Sequence, residues 1–183
     1  MRASLRLATL ALVANTGLAH AQSGNIMTVL LNDMKEVEEK VMGLAKAMPE
    51  ASWTWRPGAG VRSVGEVYQH IATDNYLLPA MLGTPAPAAT GIKGTDYKTA
   101  QAYETRKIDR ATVLADLEAS FAFLRKAMEA QSPDLTKEIT VFGRKTTAQE
   151  TWILTVTHLH EHLGQAIAYA RSNNVTPPWS KGA

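Results

Sequence analysis

The chain contains no cysteine. Disulfide bonds, thiolate metal sites and a cysteine nucleophile are therefore excluded. After the first two dozen residues no run of eighteen apolar residues occurs, so nothing later in the chain reads as a transmembrane span. A surplus of one charge is missing too. The net charge is +2, and removing residues 1–21 takes away Arg2 and Arg6 but no acid, leaving 17 basic and 17 acidic residues. A neutral domain offers no electrostatic footprint for nucleic acid. There is no G-x-S-x-G elbow and no phosphate-binding glycine loop, which removes the serine-hydrolase and nucleotide-binding classes.

The N-terminus has an export pattern. Arg2 and Arg6 precede the mostly apolar stretch 7–18, and Ala19-His20-Ala21 fits a small-x-small cleavage site. This predicts a signal peptide over residues 1–21 and a mature domain over 22–183. Export without disulfides fits a bacterial periplasm or exterior, with no stable membrane insertion after cleavage. A mature chain of that length suits one domain with a substantial core.

Helical periodicity dominates the rest of the chain. Ile26, Val29, Leu30, Val37, Val41, Leu44 and Met48 mark one apolar face of a first helix over about 25–48, and the charges between Lys35 and Lys40 mark its wet face. Proline and glycine then forbid regular structure through the loop that carries Trp53 and Trp55, which is expected to pack over the bundle end. Ser63-Val64-Gly65-Glu66 is a capping box, and a second helix runs from it with Val64, Val67, Tyr68, Ile71 and Leu78 as its core stripe. Pro79 falls in its last turn or at its exit, and Gly83 ends it. Residues 83–96 read as a long loop covering one end of the bundle, and 97–105 add a helical turn or two. Asp109 caps a third helix with Leu114, Leu117, Phe121, Leu124 and Met128 on one side, and Ser132-Pro133-Asp134 breaks it. Ile139 to Arg144 suggests a short extended excursion with a turn. Thr147-Ala148-Gln149-Glu150 is a second capping box; it opens a final long helix that ends at Asn173-Asn174. Four helices, three of them long and clear in outline, without a strong strand signal predict an all-α fold, a four-helix bundle.

The histidines carry the chemistry. His158 and His162 are four residues apart, which on a helix stacks two imidazoles on one face and lets them chelate one metal ion. A histidine beside a core stripe is more often a hydrogen-bonded boundary residue, so the pair alone is weak. It gains weight because His70 lies on the corresponding shoulder of another capped helix. Three imidazoles and a water make an open site suited to a Lewis acid or a water activator. His160 lies roughly 200° from His158 around the helix and does not share that face. Glu161 and Asp74 are the candidates for holding the ligands' second nitrogens or moving protons, and therefore the candidate catalytic residues. A zincin motif is ruled out because Gly164 stands where His160-Glu161 would require a histidine. Two functional classes stay open: a metal-dependent enzyme, and a non-catalytic bundle that binds a metal or ligand.

The chain resembles the DinB-like (DinB/YfiT-like) family of metalloenzymes. The resemblance rests on Trp55-Arg56-Pro57-Gly58 running into Arg62 to Ile71, on Thr147 to Glu150 leading to His158-x-x-x-His162-Leu163-Gly164-Gln165, and on the end from Arg171 to Pro177-Pro178. It implies a four-helix bundle of up-down-down-up type with one divalent ion at His70, His158 and His162. It implies nickel or zinc, with iron or manganese also compatible with three imidazoles. It further implies hydrolase or thiol S-transferase chemistry on a small-molecule substrate, and a homodimer.

Overall fold

The computed structural model describes the backbone of residues 14–130 and 134–180, and the side chains from Ile26 onward within those ranges. Residues 1–13, which include the charged start of the expected signal peptide, and the expected break at Ser132-Pro133 lie outside the described residues. Five helices and one hairpin make up the fold: α1 (Ala14–Ala47), α2 (Val64–Met81), α3 (Tyr97–Glu104), α4 (Arg110–Glu129), the strands β1 (Glu138–Val141) and β2 (Arg144–Thr147), and α5 (Ala148–Ser172).

The four long helices, α1, α2, α4 and α5, form the bundle. α1 packs chiefly on α4 and α5, and α2 likewise packs on α4 and α5. Each long helix therefore lies beside two others, and the consecutive pair α1 and α2 lies across a diagonal. Such a crossing requires a long connection, and residues 48–63 provide it. Between the helices sits one apolar core. Met34, Val37, Val41 and Leu44 from α1, Ile71 from α2, Leu117 and Phe121 from α4, and Trp152 from α5 are fully buried. Their spacing of three and four places them on one stripe of each helix, and burial of that stripe is the main force holding the helices together.

Both capping boxes form. Ser63 Oγ accepts from Glu66 N, and Glu66 Oε2 accepts from Ser63 N at 2.6 Å. Thr147 and Glu150 repeat the arrangement at the start of α5. The tryptophan loop satisfies two further free N–H groups of α2: Val64 N donates to Trp55 O and Gly65 N donates to Trp53 O, at 3.0 and 2.9 Å. Trp53 is buried against Tyr68, and Trp55 meets the ring edge of Tyr169 on α5. The loop therefore closes the bundle end as expected, and it fixes where α2 begins.

Three details differ from the sequence expectations in extent. α1 is already helical at Ala14, the first described residue, and not only from near residue 25, since nothing from Ala14 to Asn25 breaks a helix as proline would. Residues 97–105 form a true helix, α3, because Asp96 accepts from Lys98 N and because Ala100 and Tyr103 bury into a second small core with Tyr76, Leu77 and Ile92. The extended excursion is a two-residue hairpin, with Val141 paired to Arg144 and both Phe142 and Gly143 at positive φ. Phe142 is a bulky side chain in a conformation that favours asparagine or glycine. Its ring lies edge-on to Tyr97 of α3, 5.8 Å away. Pro79 stays within the last turn of α2, and Gly83 at φ +96° turns the chain out, as the sequence suggests.

Candidate metal centre

α2 and α5 face each other, and each presents ligating groups spaced by four residues. α2 supplies His70 and Asp74; α5 supplies His158 and His162. His70, His158 and His162 each have a ring nitrogen within 4.8 Å of the others. The ring centroids are 4.3 to 5.2 Å apart. His158 Nε2 and His162 Nε2 are 2.9 Å apart, and His158 Nε2 is 3.2 Å from Asp74 Oδ2, which also lies 3.4 Å from His70 Nε2. His70 and His162 are buried, and His158 is partly exposed. The cluster thus has one side open.

Chemistry around the rings decides which nitrogens are free. The Arg62 carbonyl can only accept, so Tyr169 Oη must donate to it, at 3.1 Å. Tyr169 Oη then accepts from the Gln165 amide nitrogen at 3.0 Å. The Gln165 amide oxygen is left facing His162 Nδ1 at 2.9 Å. His162 must therefore carry its proton on Nδ1, and its Nε2 lone pair points at the cluster. On the far side of the cluster His70 Nδ1 faces Glu104 Oε2 at 3.1 Å. Glu104 ends α3 and is held at its other oxygen by Arg62, at 2.8 and 3.0 Å.

Burial disfavours the charged form of both α5 imidazoles. Desolvation pushes His158 down to about 3, helped by the neighbouring His162 and His70 and by Arg62. His162 is also lowered, first by burial, against the opposing hydrogen bond to Gln165. Asp74 goes the other way. Its burial, aided by Glu104 and opposed by His70 and Arg62, raises it to about 6. Burial alone would raise Glu104, but the His70 hydrogen bond and charge and the Arg62 guanidinium outweigh it and hold Glu104 below its ordinary range. Three imidazole nitrogens converge within reach of one ion, and an all-nitrogen set of this kind suits a borderline divalent ion. The residues present fit such an ion.

Of the residues singled out in the sequence, His70, His158, His162 and Asp74 come together. Glu161 is exposed, and among the described residues its side chain makes no hydrogen bond. His160 points elsewhere, pairing with Asp33 of α1 at 2.9 Å. Glu104 joins the site without a local signature in the sequence, and Arg62 joins it from the turn before α2. Beside the cluster opens a cleft of about 860 Å³, lined by Trp53, Gln69, Ile108 and Arg110 and sharing Arg62 and Glu104 with the histidine site.

Comparison with known families decides the lineage of this arrangement. The model of the DinB superfamily matches residues 33–166, which include all three clustered histidines. The chain belongs to the DinB superfamily. Solved DinB-like structures share its fold. A DinB-like protein from Bacillus cereus ATCC 10987 superposes with a TM-score of 0.62 at 18% identity, over 81% of this chain and 93% of that one. YfiT from Bacillus subtilis superposes at 0.60 and 13% identity, over 96% and 95%; it is described as a probable metal-dependent hydrolase with an unusual four-helix bundle topology. A mycothiol-dependent maleylpyruvate isomerase superposes at 0.58 and 16% identity, over 75% of this chain but 59% of its own. Comparison with curated proteins found no match. The diagonal placement of α1 and α2 sits on a bundle that this DinB superfamily shares.

Proposed function

We propose that this DinB protein is a metal-dependent enzyme of hydrolase type, acting on a small molecule. His70, His158 and His162 hold one divalent ion, zinc or nickel in the first instance. The observation that carries the reading is the convergence of three imidazoles beside a half-buried carboxylate, with one side of the cluster open. When bound, the ion supplies a Lewis acid and lowers the pKa of a water molecule toward neutrality. Gln165, directed by Tyr169 and the Arg62 carbonyl, holds His162 with its Nε2 free. Asp74 is the group placed to take a proton from water at the open position and return it to a leaving group. Arg62 and Glu104, common to the cluster and the cleft, bring charged groups to any substrate that enters from there. The mycothiol-dependent relative supports activation of a small thiol as an alternative to water. Superposition over nearly the full length of YfiT favours water.

Export of residues 22–183 belongs to the same proposal and rests on the pattern ending at Ala19-His20-Ala21; N-terminal sequencing of the processed protein tests it. The metal reading is tested by elemental mass spectrometry on untagged protein, beside a His158→Ala variant. The expected result is about one divalent ion per chain in the parent and none in the variant. No metal in the parent after zinc and nickel are offered would end this reading. An ester, amide and thiol-transfer screen with and without chelator comes next. Tight metal without turnover in that screen would assign the chain to the non-catalytic binding class.

A further inference from the structure

His70 Nδ1 has two neighbours with opposite demands. Glu104 Oε2, an acceptor, lies 3.1 Å away. Arg62 Nη2, which can only donate, lies 3.2 Å away. A proton on Nδ1 satisfies Glu104 and is repelled by Arg62. Without that proton the reverse holds, and the proton moves to Nε2, the nitrogen that faces Asp74 and the other histidines. An imidazole protonated on Nε2 cannot offer that nitrogen to an ion.

We propose that Glu104 is the positioning residue of the metal centre: it selects the His70 tautomer that leaves Nε2 free, against the opposing Arg62 guanidinium. This deepens the metal reading and rests on it. Glu104 wins the contest because Arg62 is itself satisfied by Glu104. The guanidinium already donates two hydrogen bonds to Glu104 Oε1 and so needs nothing from His70. The carboxylate is fixed in place by the packing of α3. Gln69 of α2 donates to the Arg106 carbonyl just beyond Glu104 at 3.0 Å, and Tyr103 and Arg106 both bond Asp116 of α4. Arg106 also covers the face of the Tyr103 ring. A short helix of low intrinsic stability is in this way clamped on both sides, and its last residue is aimed at His70. His162 has a neutral amide in the equivalent role, whereas His70 has a carboxylate. A carboxylate is the stronger acceptor, and here it must outcompete a cation.

The test is zinc affinity by competition with a chromogenic chelator, on metal-free parent, Glu104→Ala, Glu104→Gln, Arg62→Ala/Glu104→Ala and Glu161→Gln proteins. Thermal melting checks that each is folded. Losing an outer partner of a ligand typically costs 10- to 100-fold in affinity, and Glu104→Ala is expected to fall in that range. Glu104→Gln keeps an acceptor and is expected to lose less. The double variant removes the opposing donor and is expected to recover part of the loss. Glu161→Gln removes the same charge beside His162 without removing an acceptor, and is expected to stay near the parent. In zinc-loaded protein, the His70 Nδ1 proton is expected as a slowly exchanging downfield NMR signal in the parent and in Glu104→Gln, and absent from Glu104→Ala. Parent-like affinity in folded Glu104→Ala overturns the proposal. So does equal weakening by Glu161→Gln, since bulk charge would then explain the effect. A double variant no better than Glu104→Ala overturns it as well. A parent that binds no zinc at all overturns the metal reading first, and this proposal with it.

Discussion

Replacing Gln165 with leucine tests the relay that holds His162. Three hydrogen bonds are in series: His162 Nδ1 to Gln165 Oε1, Gln165 Nε2 to Tyr169 Oη, and Tyr169 Oη to the Arg62 carbonyl. Leucine removes the first two and leaves the third intact, so the loop carrying Arg62 stays anchored. His162 is buried, and its Nδ1–H then has no partner in the described structure. The buried donor costs about 1–3 kcal/mol when unpaired, and the ring escapes that cost by moving its proton to Nε2. Either route penalises the metal-bound form, which needs Nδ1–H. The expected loss of zinc affinity is therefore about 10- to 100-fold, or about 1.4–2.7 kcal/mol. Tyr169→Phe gives a smaller loss, because it removes only the anchor that directs the amide. The assay is competition against a chelator of known affinity at pH 7.5, with melting curves to verify the fold. A folded Gln165→Leu protein that binds zinc within threefold of the parent would refute the tautomer argument. So would a Tyr169→Phe variant weaker than Gln165→Leu.

Other outcomes rest on the packing and the charges. Gly94→Ala would place a Cβ against the Ala80 carbonyl and the Met81 nitrogen in the backbone of α2, so the loop must lift. Overpacking of this kind costs about 1–3 kcal/mol, to be read by chemical denaturation; because α3 comes after this loop and ends in Glu104, zinc affinity is expected to fall as well. Ser63→Ala removes the side chain that accepts from Glu66 N at the start of α2, and is expected to lower stability by about 1 kcal/mol. The metal-free protein is expected to lose stability as pH falls from 6.5 toward 3 through His158. Its ordinary value is 6.5 and its folded value about 3, so in that window the unfolded chain takes up a proton that the folded chain refuses. Asp74 opposes this: raised from 3.8 to about 6, it holds a proton in the fold that the unfolded chain has lost, and so lowers stability as pH rises through that window. A His158→Ala variant should therefore show a shallower acid-side loss in a denaturation series across pH, and an unchanged slope would contradict the assigned burial effect.

Much of this architecture is legible in local pattern. Capping boxes at Ser63 and Thr147, stripes spaced by three and four, and the breaker Gly83 are governed by the backbone and by side chains a turn away. Sequence therefore locates α2, α4 and α5 well, and it identifies the family through the segments around His70 and His158. The four-residue spacing of His158 and His162 is legible for the same reason: helical geometry alone puts both rings on one face.

Contacts between distant segments are another matter. Whether His70 meets the α5 pair depends on α2 and α5 packing side by side, which the lateral arrangement of four helices settles. Glu104 shows why local signals stop short. It ends a helix of eight residues that has little intrinsic stability, and its place beside His70 depends on Gln69 of α2 and Asp116 of α4, which hold its chain neighbours Tyr103 and Arg106. Asp74 and Glu161 look alike in the sequence, each one turn or less from a histidine. The fold half-buries Asp74 between two imidazoles and leaves Glu161 in water. By itself the sequence determined the helices, their caps and the three histidines, because those arise from interactions within a turn or two of chain. The tertiary structure alone decided which acids serve the histidines and which ring nitrogens are free, because burial and hydrogen-bond partners across helices exist only once the core has closed.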